Sequence, residues 1–240
     1  MKGNEMTVDI QSFSKRRRSR NFLWTFVKGF VGRLISGLRF ILQRAFLFPY
    51  LGCFLEDFEL IGLENLDLLE GSACVFAANH ASHADTAVIL YALPQQIRSK
   101  LAIAAAADYF YKSKLRGAFF TLLLNTFAFD REKPKHGLLQ GREVLNKGFS
   151  LLIYPEGSRR APSEQKGFKR GFAALACRMS LPVVPVHLEG TYEMLPKGAC
   201  WPRAARVKVV FGKPVYSQGI NSHELALKVE RNLRALVPAA

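Results

Sequence analysis

The chain has 240 residues, of which 49% are hydrophobic, so it is long enough for one domain with a substantial core and too short for two of that size. It carries 34 Lys and Arg against 19 Asp and Glu, a formal net charge of +15. Residues 1–50 hold ten basic and two acidic side chains, so more than half of the basic excess lies at the front. This distribution favours an anionic surface as partner.

Cysteine usage and the N-terminal pattern give expectations about the compartment. No two of the four cysteines form a C-x-x-C pair, and Cys74 and Cys177 fall in apolar patterns typical of buried thiols. Lys28 and Arg33 interrupt the first apolar region, which differs from the uninterrupted apolar run of a signal peptide. We therefore expect a reduced protein at the cytoplasmic face of a membrane.

Two segments precede the predicted catalytic domain. Residues 1–20 are polar and end in the run KRRRSR, which predicts a basic, flexible tail. At about 100° per residue, residues 23–45 separate into a polar and an apolar arc, and residues 45–55 continue the apolar pattern. The polar arc of roughly 160° gathers Lys28, Gly29, Gly32, Arg33, Ser36, Arg39, Gln43 and Arg44. Residues 21–56 are therefore predicted to form amphipathic helices at a membrane interface.

A helix that crosses the bilayer is the less favoured arrangement for this segment. Each Lys or Arg near the centre of a spanning helix costs roughly 2.5–3.5 kcal/mol, and residues 23–45 contain four such residues. We predict that the helix lies on an anionic leaflet, as in a peripheral or monotopic protein. The alternative is a helix that packs on its own domain.

Residues 57–240 alternate between strand and helix patterns, which predicts an α/β domain built around a central sheet. Residues 119–129 are strongly apolar and end before Asp130 and Arg131, so they form core or a strand. Strands are predicted at residues 58–69 (with a turn), 74–78, 101–107, 150–154, 181–188 and 206–211. Helices are predicted at residues 86–93, 108–115 (capped by Asp108), 136–147, 166–176 and 222–236 (capped by Ser222).

A histidine and a carboxylate lie five residues apart between the second predicted strand and the helix after it. On such a turn, Asp85 can accept the Nδ1 proton of His80, which leaves Nε2 free to act as a base. The alternative is that Asp85 caps the helix and His80 packs without a chemical role.

Three further segments give these residues a context. Residues 151–160 read LLIYPEGSRR, residues 125–131 read NTFAFDR and residues 183–186 read VVPV. Together with Asn79, His80 and Asp85, these segments resemble the four motifs of the glycerolipid acyltransferases, the 1-acyl-glycerol-3-phosphate acyltransferase family. The resemblance spans roughly residues 70–215 and implies a central mixed sheet flanked by helices. Tyr154 and Ser158 stand where the family commonly has Phe and Thr.

The resemblance implies the transfer of a fatty acyl group from acyl-CoA or an acyl carrier protein to the hydroxyl of lysophosphatidic acid. His80 is then the general base and Asp85 orients it. Backbone amides near Gly157 and Ser158 become candidates for an oxyanion or phosphate site. The thioester is a co-substrate, and no other cofactor is expected. The expected acceptor-binding residues are Arg131, Glu156, Gly157, Ser158, Arg159, Lys166 and Lys169, with Glu156 fixing Arg159 or an acceptor hydroxyl.

Several alternatives stay open at this point. Ser82 is a candidate nucleophile with His80 as its base, although a spacing of two residues favours direct attack by the acceptor. His80 and His83 suggest a metal site, but no nearby ligands complete it, so no metal is expected. A lysophospholipid or a lyso-aminolipid would also suit the acceptor site. A membrane adaptor without catalysis is the other class of function; a nucleic-acid partner is not expected, because no nucleic-acid motif occurs.

Overall fold

The computed structural model of the protein describes residues 31–130, 134–161 and 167–237. A 3-10 helix, Leu63–Leu69, follows the first strand. The strands are β1 Leu55–Ile61, β2 Val75–Ala78, β3 Leu101–Ala106, β4 Thr126–Phe129, β5 Ser150–Ile153, β6 Val183–Glu189 and β7 Ala205–Phe211. The helices are α1 Val31–Gly52, α2 Ala84–Ala92, α3 Gln95–Arg98, α4 Ala107–Phe110, α5 Lys114–Leu124, α6 Pro134–Asn146, α7 Gly171–Met179, α8 Thr191–Met194 and α9 Ser222–Ala235.

The described strands form one seven-stranded sheet in the order β1-β7-β6-β2-β5-β3-β4. Strands β2 to β6 run parallel, whereas β7 is antiparallel to β6 and pairs in parallel with β1. The sheet is therefore mixed, and the α/β architecture implied by the family resemblance is confirmed. The short central strands are buried on both faces, as expected for parallel strands covered by helices.

Alternating side chains of the central strands enter two separate clusters of buried residues. Phe76 and Leu152 belong to a cluster that includes Val88 of α2, whereas Val75 and Leu151 belong to one that includes α7 and α9. Because successive strand residues point to opposite faces, helices must cover the sheet on both sides. This core fixes the positions of the turns that follow β2 and β5.

The order of the strands brings two sequence motifs together. Strand β2 pairs in parallel with β5, and Ala77 lies opposite Ile153. The turn after β2 carries His80, and the turn after β5 carries Glu156. Because parallel neighbours end at the same edge of the sheet, both turns meet where α/β folds bind their ligands.

Helix α1 contains a π-helical segment, Gln43–Leu47, and is long and apolar enough by composition to cross a membrane. Only 22% of its apolar window is buried. Its apolar arc faces away from the domain, since many of its large side chains are exposed. These are Val31, Leu34, Ile35, Leu38, Phe40, Ile41, Phe46 and Tyr50.

The polar arc of α1 is only partly where the helical wheel predicted it. Arg39 and Gln43 were expected to face the lipid headgroups, yet both are buried against the domain. The guanidinium of Arg39 donates to the carbonyls of Leu122 (2.8 Å) and Thr121 (3.1 Å), and Gln43 Nε2 donates to that of Leu123 (2.8 Å). The Leu122 and Leu123 carbonyls lie in the last turn of α5, where backbone carbonyls lack intrahelical partners, whereas the Thr121 carbonyl also accepts from Asn125 N at 3.0 Å. Arg39 and Gln43 therefore cap the C-terminal end of α5.

Around α5, one prediction is wrong and one holds only in part. Asp108 caps no helix over residues 108–115; it lies inside the short α4, and α5 begins after Ser113, whose Oγ accepts from Arg116 N at 3.2 Å. The apolar segment over residues 119–129 is divided between α5 and β4. Asn125 divides it, because its left-handed backbone (φ 58°) ends the helix, and its side chain donates to the Leu101 carbonyl.

Two helix starts also differ from the predictions. Asn221, rather than Ser222, caps α9, because its side chain accepts from the backbone of Glu224 while the Glu224 carboxylate accepts from Asn221 N. Helix α7 begins at Gly171 and not near residue 166, since residues 167–170 are not helical. The basic residues before it are therefore loop residues at a helix N-terminus.

Candidate active site

The His80 and Asp85 side chains are joined by a short hydrogen bond. The His80 Nδ1 to Asp85 Oδ2 distance is 2.7 Å, and Asp85 is fully buried. The same carboxylate oxygen accepts from the backbone N–H groups of Ala81 (2.9 Å) and Ser82 (3.0 Å). The tight turn between β2 and α2 thus fixes the carboxylate, and the carboxylate fixes the imidazole. This arrangement leaves Nε2 as the nitrogen that can take a proton.

Ser82 is occupied by structural hydrogen bonds. Its hydroxyl donates to the Leu195 carbonyl at 2.7 Å, and its oxygen accepts from Ala84 N at 3.0 Å. Ser82 is also fully buried. The hydroxyl is thus already used as a donor to the loop after α8 and as an acceptor, which favours direct attack by the acceptor over an acyl-serine.

Two hydrogen bonds join the turn after β2 to the turn after β5. His80 N donates to Glu156 Oε1 at 3.1 Å, and Arg160 N donates to the His80 carbonyl at 3.0 Å. Glu156 was expected to fix Arg159 or an acceptor hydroxyl; the structure shows this third contact instead. Burial raises the pKa of Glu156, while the hydrogen bond from His80 N acts in the opposite direction.

Tyr154 fixes the plane of the His80 ring. The two rings stack with centroids 4.0 Å apart and an interplanar angle of 18°. The Tyr154 hydroxyl lies 2.8 Å from Thr86 Oγ1 on α2, so the phenol is held at its far end. Burial raises the pKa of Tyr154 well above its ordinary value, and the phenol therefore stays neutral.

Asn79 attaches the same turn to the neighbouring strand β6. Its side-chain Nδ2 donates to the Leu188 carbonyl and its Oδ1 accepts from Leu188 N, both at 2.8 Å. The side chain thus acts as a peptide group that extends the pairing of β2 with β6. The first motif is held by its neighbours on both sides, β5 and β6.

A cavity of about 660 Å³ opens beside His80. This volume lies within the range of about 300–1,000 Å³ typical of small-molecule sites. Much of its wall is apolar, with Phe110, Phe120, Leu124, Phe129, Leu138, Ile153 and Phe172 among the lining residues. Its charged lining residues are Arg116, Asp130, Arg159, Lys169 and Lys197. One cavity therefore offers an apolar surface and an excess of cations within reach of the imidazole.

The predicted binding residues are brought together in part. Gly157, Ser158, Arg159 and Lys169 line the cavity, and Glu156 lies behind it at the His80 backbone. Arg131 and Lys166 fall outside the described residues.

Gly157 has a specific conformational role. Its backbone is left-handed (φ 77°), and a Cβ there would meet Lys169 Nζ at 2.8 Å. Its N–H donates to the Tyr154 carbonyl at 3.0 Å, which closes the turn after β5. The turn therefore uses the Gly157 amide, and the expectation that an amide of this turn serves an oxyanion or phosphate stays a prediction for Ser158.

His83, Tyr109, Arg116 and Lys197 are among the lining residues that were not predicted as site residues. His83 Nε2 lies 3.1 Å from the Tyr109 hydroxyl. Burial, and then the nearby charge of Arg159, lower the pKa of His83 to about 4, so it stays neutral near pH 7. Lys197 and Arg116 carry no sequence signal, since the first lies in a loop and the second opens an apolar helix.

A metal site is not outlined by the described part of the chain. No group of three or more His, Cys, Asp or Glu side chains in the described ranges is arranged to hold an ion. His80 and His83 instead contact Asp85 and Tyr109. The expectation that no metal takes part stays a prediction.

Comparisons with known proteins agree with this geometry. A 1-acyl-sn-glycerol-3-phosphate acyltransferase of Cocos nucifera is 30% identical over 162 residues, which cover 64% of this chain and 51% of the relative. One from Pseudomonas aeruginosa is 36% identical over 124 residues, which cover 47% of this chain and 44% of the relative. The chain thus spans about half the length of these curated relatives.

A solved structure shows the same fold. The crystal structure of the 1-acyl-sn-glycerophosphate (LPA) acyltransferase PlsC from Thermotoga maritima has a TM-score of 0.63, and the alignment covers 94% of this chain and 88% of that one at 23% identity. The family model described as Acyltransferase matches residues 57–189, more than half of the chain, and includes His80, Asp85 and Arg159. The chain belongs to the acyltransferase family.

Proposed function

We propose that the protein transfers a fatty acyl group from an acyl thioester to the free hydroxyl of lysophosphatidic acid or a similar lysolipid. One observation carries the proposal: His80, which is hydrogen-bonded to Asp85 at 2.7 Å, lies on the wall of a cavity that is both apolar and cationic. The names of the two relatives, which are lysophosphatidate acyltransferases, support the same reaction.

The proposed mechanism uses His80 as general base. Its Nε2 takes the proton of the acceptor hydroxyl while the hydroxyl oxygen attacks the thioester carbonyl, and Asp85 stabilises the imidazolium. A carbon–oxygen bond forms and the carbon–sulfur bond breaks. The imidazolium then returns the proton to the departing thiolate. General-base catalysis of this kind contributes about 10²–10⁴ in rate.

The cavity suggests where the parts of the substrates lie. Its apolar wall suits an acyl chain, whose burial gains roughly 0.8 kcal/mol per CH₂. Arg159 and Lys169 suit the acceptor phosphate, because charge-assisted bonds to phosphate are among the strongest hydrogen bonds. Arg131 and Lys166 remain predicted residues for binding the same phosphate. The donor is acyl-CoA or acyl carrier protein, and the acidic surface of a carrier protein would complement this basic chain.

We further propose that α1 holds the enzyme on the cytoplasmic face of a membrane without crossing it. The exposed apolar arc of α1 suits the lipid interface. Its second half packs on the domain through Arg39, Gln43, Phe48 and Leu51, so this half cannot cross the bilayer without taking the domain along. These contacts support peripheral or monotopic attachment, for which an anionic leaflet is the proposed partner.

The test is an acyl-transfer assay with the full chain, purified in detergent. Lysophosphatidic acid, lysophosphatidylcholine, lysophosphatidylethanolamine and a lyso-aminolipid are each offered with acyl-CoA and with acyl carrier protein. We expect the highest turnover with lysophosphatidic acid. His80→Gln should lose at least about 100-fold in kcat, whereas His223→Gln, an exposed histidine on α9, should match wild type.

Two outcomes would overturn the proposal. Equal turnover by wild type and His80→Gln would remove the histidine from the chemistry. A wild-type protein that binds anionic vesicles and acylates no acceptor would instead favour the membrane adaptor.

A further inference from the structure

We propose that Arg116 is a second anion-binding guanidinium, positioned by Tyr109, which together with Arg159 selects a phosphomonoester lysolipid. The inference rests on the proposed function for the identity of the substrate. It adds a binding residue that the four motifs do not contain, since Arg116 lies in α5, ahead of the segment that resembles the second motif.

Both guanidinium groups approach one aromatic ring. The Cζ atom of Arg116 lies 4.8 Å from the Tyr109 ring centroid, and that of Arg159 lies 5.9 Å from it. Both arginines line the cavity that contains His80. A guanidinium on an aromatic face is favoured by the ring quadrupole and keeps its N–H donors free at the edges. The ring thus gathers two arginines from distant parts of the sequence into one site.

Tyr109 is itself held in place. Its hydroxyl lies 3.1 Å from His83 Nε2, and its ring stacks on the His83 ring with centroids 5.1 Å apart. Phe110 packs edge-on against the Tyr109 ring at 5.0 Å. Tyr109 therefore connects the turn that carries His80 to the position of both guanidinium groups.

The positive charge of Arg116 does not stabilise the helix that carries it. It lies in the first turn of α5, which contains no acidic residue, and a cation there opposes the helix dipole. Within the described ranges, no ion pair joins Arg116 to a carboxylate. Asp130 lines the same cavity, but the cations Arg159, Lys169 and Lys197 outnumber it. A cation that lies at the cavity although the helix dipole disfavours it indicates an anionic ligand.

A phosphomonoester fits two guanidinium groups better than a phosphodiester does. It carries roughly 1.5–2 negative charges near neutral pH and exposes three terminal oxygens, enough for two forked donors. A phosphodiester headgroup carries one charge and exposes two such oxygens. The Arg116–Arg159 pair should therefore set the preference between these acceptor classes, in addition to overall affinity.

The first experiment measures headgroup binding apart from catalysis. Glycerol 3-phosphate, with glycerol as the uncharged control, is titrated into the full chain in detergent by calorimetry. We expect saturable binding of glycerol 3-phosphate to wild type and none of glycerol. Arg116→Gln should weaken binding at least tenfold and Arg116→Lys by less. Arg142→Gln, an exposed arginine on α6, should leave it unchanged.

The second experiment measures kcat and KM for lysophosphatidic acid and lysophosphatidylcholine. Arg116→Gln should raise KM for lysophosphatidic acid at least tenfold, change kcat less than threefold and leave lysophosphatidylcholine kinetics unchanged. Tyr109→Leu should reproduce this pattern, because it removes the ring and keeps the arginine. Thermal unfolding in detergent confirms that each variant is folded.

The outcomes separate this inference from the proposed function. If wild type binds no glycerol 3-phosphate, or if Arg116→Gln binds it as tightly as wild type, the inference fails even when acyl transfer is normal. Equal losses with both lysolipids would also overturn it, since they would indicate a general structural role. If wild type transfers no acyl group but binds glycerol 3-phosphate through Arg116, the proposed function fails and the anion site stands.

Discussion

The His80 imidazole lies flat against the Tyr154 phenol, with ring centroids 4.0 Å apart. His80 follows β2 and Tyr154 follows β5, so the contact exists only because these two strands are neighbours in the sheet. Tyr154, in the segment 151–160, therefore directly supports His80, the proposed base. The Tyr154 ring limits the rotation of the imidazole, while Asp85 occupies Nδ1 and leaves Nε2 available.

Removal of the stacking ring should affect catalysis more than removal of its hydroxyl. Tyr154→Phe keeps the ring and loses the contact with Thr86, so we expect about 1 kcal/mol of destabilisation and kcat within about threefold of wild type. Tyr154→Ala should destabilise by about 3–5 kcal/mol, as for other large aromatic truncations, and lower kcat more than tenfold. Thermal unfolding and steady-state kinetics measure both. Equal effects of the two substitutions would contradict a role for the stack.

Replacing Asp85 by Asn should lower kcat by at least about 100-fold, because the imidazolium loses its buried counter-charge and the required tautomer loses its acceptor. The acceptor KM should change little, since Asp85 does not line the cavity. Asp67→Asn, at an exposed position in the 3-10 helix, is the matched control. A kcat for Asp85→Asn close to wild type would mean that the pair is structural only.

Replacing Arg39 by Ala should loosen α5 and with it one wall of the cavity. The Leu122 carbonyl would lose its donor, at about 1–3 kcal/mol for an unsatisfied buried group, and the Thr121 carbonyl would keep only the bond from Asn125 N. Because Phe120 and Leu124 of α5 line the cavity, turnover should fall with stability. Arg33→Ala, at an exposed position on the same helix, should change neither quantity. Equal unfolding temperatures for Arg39→Ala and Arg33→Ala would disprove the capping role.

His83 should make the fold sensitive to acid. Its folded pKa is about 4, below the ordinary 6.5, so between these values the unfolded chain binds more protons. Stability from this group is therefore full above pH 6.5 and is lost as the pH falls toward 4. This pKa shift corresponds to a loss of about 2 kcal/mol in the free energy of unfolding between pH 7 and pH 5. Solvent screening of the partly buried ring reduces the loss to about 1 kcal/mol.

The measurement for His83 is the difference in unfolding free energy between pH 7 and pH 5. His83→Asn should lose about 1 kcal/mol less than wild type over this interval, since it carries no titrating ring. His223→Asn, at an exposed position, should behave like wild type. An acid sensitivity of His83→Asn equal to that of wild type would refute the assignment.

Local patterns in the sequence were sufficient to predict most of the buried strands and the His80–Asp85 turn. Buried parallel strands appear as short apolar runs, and a carboxylate five residues after a histidine needs only a tight turn to reach it. The position of Asn125 shows the limit of such patterns. The apolar run around it is continuous, and only the left-handed backbone at this residue separates a helix from a strand.

The partners of polar side chains were less accessible to prediction. A helical wheel assigns Arg39 and Gln43 to a face of α1, but their acceptors lie about 80 residues away in sequence. Tyr109 and Arg116 are similar, because their significance depends on His83 and Arg159 from other turns. Long-range contacts of this kind follow from the order of strands in the sheet, which a single sequence does not reveal.

The way α1 packs on the domain bears on how a variant of the protein that is soluble without detergent could be made. A truncation that starts at β1 would remove the apolar helix α1. It would also remove the side chains that donate hydrogen bonds to three carbonyl groups of α5, and it would open that end of the cavity. A better route to crystals free of detergent would keep the helix and replace its outward residues, such as Leu34, Leu38 and Ile41, with polar ones. Such a protein should retain its cavity while losing its affinity for lipid.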